Sequence, residues 1–272
     1  MPELRSVLGE EKAMEPKDKV IVITGGSGGI GSSMARAFLR EGAEAVVISD
    51  LDSGPVEARA DVLGCDWRVC DVTDESQVQG LVDYVISKYG RVDVYCSNAG
   101  AAGSGSGVLT DASNEIWQQQ WDLHVMAHIY ASRALLPGMI DRGEGYFLIT
   151  SSAAGLLAAT GSGPYTVTKA AAIKFAECLS ITHGDDGVGV AVLCPQGVAT
   201  AMAPKSLGNG QTDGILEPET VAAVVIESMR DGRFHVLPHP EVEGYVRRKG
   251  DDIDRWLGGM RRLRRRSIEL QG

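Results

Sequence analysis

Val20-Ile-Val-Ile-Thr-Gly-Gly-Ser-Gly-Gly-Ile-Gly31, running on into Ser32 to Arg40, is the stretch on which the reading of this chain turns. Its first four residues are apolar and β-branched without a polar interruption, the pattern of a strand buried on both faces of a parallel sheet. Ser32 to Arg40 reads as a helix, so the glycines lie in a tight strand-to-helix turn. Glycine at 25, 29 and 31 permits positive φ, lets the backbone approach a pyrophosphate, and lets the helix pack closely on the strand. The helix N-terminus adds unpaired N–H groups and a partial positive charge. Gly25, Ser27, Gly29, Ile30 and Gly31 are therefore candidate contacts for a dinucleotide, in the strand, loop and helix order such a motif requires.

Working outward, Ala45-Val-Val-Ile-Ser49 is a second strand, with Asp50 at its carboxyl end about twenty residues beyond the loop. A carboxylate there accepts both ribose hydroxyls of an adenosine and repels a 2′-phosphate, which favours NAD over NADP. No arginine or lysine stands in the glycine loop or directly after Asp50 to hold a 2′-phosphate, although Asp52 lies two positions away; Leu51 is the neighbouring contact. Trp67 to Cys70 reads as a third strand, followed by Asp71-Val72 and a helix to about Tyr89. The apolar positions Val78, Leu81, Val82, Val85 and Ile86 form one stripe of that helix. Val92 to Cys96 is a fourth strand and ends in Ser97-Asn98-Ala99-Gly100. The β-α-β-α-β alternation predicts an α/β fold, a Rossmann-type doubly wound sheet of seven mainly parallel strands with helices on both faces. Ligands bind such sheets at the carboxyl ends of the strands, where Asp50, Asp71 and Asn98 converge with the glycine loop.

Beyond a flexible segment from Ala101 to Gly107, residues from about Ser113 to Arg142 read as one long helix or two abutting ones. Tyr146 to Thr150 is a fifth strand, ending in Ser151-Ser152. Pro164 opens a helix reaching about His183 that carries Tyr165 and Lys169 four apart on one face. A phenol titrates near pH 10, and an ammonium beside it favours the phenolate, so the pair suggests acid–base chemistry. Val188 to Leu193 is the sixth strand, Pro218 to Arg230 a helix, and Phe234 to Leu237 the seventh strand. The glycine-containing segment 201–215 lacks apolar periodicity and reads as a mobile lid. The organisation expected is an N-terminal extension over 1–17 with loose first residues, one catalytic domain over 18–240, and a helical tail over 241–272.

A chain of 272 residues, 44% hydrophobic, fits one large core. A net charge of −10 argues against nucleic-acid binding by the whole surface. Cys65, Cys70, Cys96, Cys178 and Cys194 are odd in number and lack a Cys-x-x-Cys spacing, so they read as reduced residues of a cytoplasmic protein. No run is long and apolar enough to span a bilayer. His124 and His128 stand four apart, but no third ligand accompanies them at a recognisable spacing, so no metal is expected.

Thr24-Gly-x-x-x-Gly29-x-Gly31, Asp71, Asn98-Ala-Gly100, Ser152, Tyr165-x-x-x-Lys169 and Pro195 to Thr200, in this order, resemble the short-chain dehydrogenase/reductase superfamily in its single-domain branch. The resemblance covers about residues 18 to 240. It implies a nicotinamide cofactor and a catalytic Ser152, Tyr165 and Lys169, with Tyr165 as acid/base and Lys169 on the cofactor ribose. It further implies that Asp71 and Val72 flank the adenine, Asn98, Ala99 and Gly100 support the cofactor site, and Pro195, Val198 and Thr200 meet the nicotinamide carboxamide. Three positions depart from the family pattern. His124 stands where an asparagine is usual, Gln196 replaces the glycine after proline, and Ser97 replaces the first of two asparagines. The expected reaction is hydride transfer between NAD and a secondary alcohol or ketone. The rival readings are an NADP-linked carbonyl or 3-ketoacyl reductase and a nucleotide-binding protein without chemistry. Family members pair the helices around Trp121 to Leu136 and Ala170 to Ile181, so a homo-oligomer, dimer or tetramer, is expected. In the tail, Ile253, Trp256, Leu257, Met260 and Leu263 recur at helical spacing beside six arginines, a stripe suited to covering the substrate cleft or a subunit contact.

Overall fold

A computed structural model describes residues 12–102, 109–159, 163–201 and 213–269. Seven strands, β1 (Val20–Thr24), β2 (Ala45–Asp50), β3 (Asp66–Val69), β4 (Val94–Ser97), β5 (Gly145–Thr150), β6 (Val188–Leu193) and β7 (His235–Val236), form one sheet. Their order is β3-β2-β1-β4-β5-β6-β7, and every pair is parallel. The order reverses direction beside β1, where β2 and β4 flank it, and a crevice opens above such a switch point.

Alternation along β1 shows how the core is divided. Val20 and Val22 point into one apolar layer, while Ile21 and Ile23 point into the other. The first layer is closed by α3 (Glu75–Tyr89), α5 (Ala127–Arg142) and α7 (Gly163–His183), through residues such as Leu81, Ala131, Leu135 and Ala176. The second is closed by α1 (Gly29–Arg40), α2 (Ser53–Leu63) and α8 (Pro218–Arg230), through Met34, Phe38, Val56 and Val225. The central strands carry no charged side chain into either layer, which is why they read as unbroken apolar runs. Among the described residues no helix is long and apolar enough to cross a membrane.

Between α3 and α5 lie β4, α4 (Asn114–Trp121) and a π-helical turn at Asp122–Met126, so the long segment is two helices joined without a break. A short α6 (Ala153–Leu157) follows β5, and the tail forms α9 (Glu241–Asp251) and α10 (Ile253–Glu269). Two features differ from the sequence reading. Helix α2 was not expected, because only Val56 and Ala60 are buried on it and one such pair makes no readable stripe. Ile86 leaves the α3 stripe and is 43% exposed, since at 100° per residue it stands at the margin of the face that buries Val78, Leu81, Val82 and Val85. The first residues of the expected extension lie outside the described ones, and its end is anchored: Met14 is buried, its N–H donates to Met229 O at 2.9 Å, and Arg230 pairs with Glu15. Most of the expected lid, 202–212, and 103–107 of the flexible segment lie outside the described residues.

Candidate active site

The glycine turn is built by close approach. Gly25 has φ +65°, and a Cβ on Gly31 would stand 2.3 Å from the Gly25 carbonyl oxygen. A Cβ on Gly29 would meet the Thr200 methyl at 2.7 Å, so the loop after β6 closes over the start of α1. No side chain caps α1, and its first-turn N–H groups stay free to face an anion. Asp50 is oriented by this loop: its Oδ2 accepts the Ser27 N–H at 3.1 Å and the Ser27 hydroxyl, and its Oδ1 accepts the Leu51 N–H at 2.9 Å. Asp71 Oδ1 accepts the N–H and hydroxyl of Thr73, which fixes the turn that brings Val72 to the site.

Asn98 joins three strand ends. Its amide donates to Thr24 O at 3.0 Å and its carbonyl accepts the Thr150 hydroxyl at 3.1 Å. The backbone N–H groups of Asn98 and Ala99 both donate to Thr24 Oγ1 at 3.0 Å. The carboxyl ends of β1, β4 and β5 are thereby held in one register beneath the glycine turn.

Ser152 starts α6, where its hydroxyl oxygen accepts the Ala154 N–H at 3.1 Å. Its neighbour Ser151 donates to Lys169 O at 2.7 Å and serves the backbone of α7. Tyr165, in the first turn of α7, is half-buried with its phenol beside the Ser152 hydroxyl, which donates to Pro195 O at 3.4 Å. Lys169 is 3% exposed; its Nζ donates to Thr150 O at 2.9 Å and lies 5.7 Å from the centre of the Tyr165 ring. Burial lowers the ammonium from its ordinary 10.5 to about 8, partly opposed by the nearby Cys194. The expected lowering of the phenol by Lys169 is not what this geometry gives. Burial is the largest influence on Tyr165 and raises it, while the neighbouring Ser152 hydroxyl opposes that rise.

His124 sits in the π-helical turn, fully buried, with its ring edge-on to Tyr165 at 5.5 Å. Its Nε2 accepts the Ala101 N–H at 3.3 Å, so the proton is on Nδ1, which donates to Thr168 Oγ1 at 3.1 Å. That hydroxyl donates in turn to Pro164 O at 2.8 Å. Burial, together with the charge on Lys169, pushes the imidazole down to about 2, so it is neutral and acts as a brace between the segment after β4 and α7. His128 is likewise buried and shares a hydrogen with Ser97 Oγ at 2.6 Å. Among the described residues no group of His, Cys, Asp or Glu could hold a metal ion. Gln196 also has a defined task. Its amide donates to Asp213 Oδ2 at 2.7 Å, and the other oxygen of Asp213 accepts the Tyr245 hydroxyl at 2.8 Å.

All these strand ends open into one cavity of about 1500 Å³. It is lined by Ser152, Tyr165 and Lys169, and by Gly25, Ser27, Gly29, Ile30, Gly31, Asp50, Leu51, Asp71, Val72, Asn98, Ala99, Gly100, Pro195, Val198 and Thr200. The structure therefore brings the candidate catalytic and cofactor residues around one cavity, whereas Asp52, Ser97, His124 and His128, also singled out from the sequence, do not line it. Gln196, noted above as a departure, lines it too, and the structure adds Leu123, Leu157 and a wall from α9 and α10 that includes Tyr245, Arg255, Trp256, Met260, Arg262 and Leu263. The amphipathic stripe of the tail was the signal for that wall; nothing in the local sequence marked Leu123 or Leu157.

Residues 19–209 match the model of the short chain dehydrogenase family. The 1-deoxy-11-beta-hydroxypentalenate dehydrogenase of Streptomyces exfoliatus is 31% identical over 88% of this chain and 90% of its own. Short chain aldehyde dehydrogenase 1 of Euphorbia lathyris is 32% identical over 76% of this chain and 72% of its own. A short chain dehydrogenase/reductase from Burkholderia phymatum, solved in complex with NAD, superposes with a TM-score of 0.79 at 28% identity, covering 89% of this chain and 96% of that one. With the parallel sheet, the glycine turn and these matches in agreement, the chain belongs to the short chain dehydrogenase family.

Proposed function

We propose that this protein is an NAD-dependent oxidoreductase that transfers hydride between nicotinamide and a secondary alcohol or ketone. The observation that carries the reading is the convergence of a phenol, a hydroxyl and a buried ammonium at the sheet edge that also holds a glycine cradle and an oriented carboxylate. The cradle suits a dinucleotide: Cβ atoms at 29 and 31 would fill it, and the uncapped end of α1 suits a pyrophosphate. Asp50, held by Ser27, would accept the adenosine ribose hydroxyls, and its charge supports NAD over NADP. Asp71 and Val72 would flank the adenine, Asn98 to Gly100 the floor, and Pro195, Val198 and Thr200 the nicotinamide carboxamide.

Bound NAD supplies the hydride acceptor. Tyr165 takes the proton of the substrate hydroxyl, and the Ser152 hydroxyl donates to the same oxygen. Lys169 holds the cofactor ribose and supplies positive charge to a phenol that burial alone would keep protonated. Its raised starting point makes the ammonium more necessary, since proton transfer is most effective when the phenol is drawn toward the working pH. His124 keeps the catalytic helix fixed against the floor and takes no proton itself.

The reading is tested by titrating NADH and NADPH against the unmodified protein and against Asp50→Ala. NADH is expected to bind more tightly, with the gap narrowing in the variant; equal affinities in the unmodified protein overturn the assignment. The free cysteines support a reducing, cytoplasmic location. Exposed Trp121, Val167 and Ile181 on α4 and α7 support pairing of these helices between subunits, as a dimer or tetramer.

A further inference from the structure

The cavity is larger than the roughly 300–1000 Å³ of a pocket for one ligand, and its outer wall is the most basic part of the chain. Resting on the reading above, we propose that the substrate is a bulky apolar secondary alcohol or ketone that carries a carboxylate, and that Arg255 and Arg262 on α10 receive that acid group.

Three observations support this. Around Ser152 and Tyr165 the cavity is lined by Leu123, Ala154, Leu157 and Ala158, and Trp256, Met260 and Leu263 of α10 face it from the tail. Apart from the oxygen at the reacting carbon, such a lining has little to offer a polar skeleton, so it selects an apolar body. Arg255 and Arg262 line the same cavity two helical turns apart, about 10 Å along the axis. Helix α10 holds six arginines against Asp254 and Glu269, on a chain whose net charge is −10.

These two guanidinium groups are also unspent. Lys19, Arg36, Lys88, Arg91, Arg133, Arg230 and Arg233 are engaged in ion pairs, whereas among the described residues neither Arg255 nor Arg262 has one. Arg248 faces the cavity as well, but it is committed, donating to Gly244 O at 3.1 Å and lying over the Tyr245 ring. Asp251 and Asp252 are the acids that line the cavity at this wall. Asp252 uses its carboxylate on the Arg255 N–H at 2.9 Å at the start of α10. Their charge moderates the positive wall, which suits a singly charged carboxylate better than a doubly charged phosphate. A guanidinium presents paired N–H donors that match the two oxygens of a carboxylate.

The test uses the full chain saturated with NADH, with lithocholate and 12-hydroxystearate as probes and their methyl esters as neutral controls, followed by calorimetry. At least one acid is expected to bind about tenfold more tightly than its ester. Arg255→Gln with Arg262→Gln should remove that preference while leaving ester binding and NADH affinity unchanged. Equal binding of acid and ester, or binding of neither, overturns the proposal. So does a double variant that keeps the preference. A double variant that loses NADH affinity instead assigns the arginines to the cofactor phosphates and also overturns it. Absence of NADH binding by the unmodified protein is a separate outcome that strikes the oxidoreductase reading and the proposal with it.

Discussion

Replacing Lys169 by methionine keeps the length of the side chain and removes its charge, which isolates the cost of burying an ammonium at 3% exposure. The native amine is displaced from 10.5 to about 8, chiefly by loss of water. Each tenfold change in proton affinity is about 1.4 kcal/mol, so at pH 7 the burial costs about 3 kcal/mol. The sign follows from proton counting. Between about pH 8 and 10.5 the unfolded chain holds a proton that the native chain has released, so the native state gains stability as pH rises through that window. By pH 10 all but about 1 kcal/mol of the cost has gone. The methionine variant lacks this term and loses only the bond to Thr150 O, which is independent of pH. Urea unfolding of both proteins at pH 7, 8, 9 and 10, without added cofactor, should show the wild type gaining about 2 kcal/mol on the variant across the series. A difference that stays flat, or that moves the other way, refutes the desolvated lysine and with it the electrostatic reasoning for Tyr165.

Tyr165→Phe should abolish hydride transfer while NADH titrations remain near wild type; substantial residual turnover removes the phenol from the mechanism. Gly31→Ala places a methyl 2.3 Å from Gly25 O, so it should weaken NADH binding and cost about 1–3 kcal/mol in urea unfolding, and an unchanged protein on both measures rejects the close-packed cradle. Sedimentation of the full chain and of a version ending at Val242 should show a dimer or tetramer in the first. A monomeric full chain refutes the pairing, and unchanged assembly and activity in the second refute any role for the tail.

The first hundred residues were legible because their signals are local. A β-branched run, a glycine turn and a helical stripe each declare themselves within a dozen residues, and the alternation of such units implies a sheet edge where their ends meet. Helix α2 escaped because it rests on the sheet through only Val56 and Ala60, a contact too small to pattern its sequence. The glycine turn, Asp50 and the Tyr165–Lys169 pair could be named in the same way, whereas the choice of Ser152 and the parts given to Pro195, Val198 and Thr200 came from the resemblance to the family. The electrostatics of the site could be read from neither. Whether Lys169 lowers Tyr165 depends on how deeply both are buried and on where the ammonium points, and it points at Thr150 O. The brace made by His124 is equally a matter of packing: it needs the π-helical turn, Ala101 and Thr168 to arrive together.

Asp213 grips two parts of the protein that are far apart in sequence, the Gln196 amide on the turn leaving β6 and the Tyr245 hydroxyl on α9. A tail transplanted from a relative would bring its own residue at the position of Tyr245 but not its own partners for it. Positions 196, 213 and 245 therefore form a unit of inheritance: a chimera that exchanges the tail has to exchange all three to keep this link between the wall and the turn leaving β6. In engineering terms, the α9–α10 wall of the cavity is a replaceable part, and of these three fasteners two lie outside the part itself.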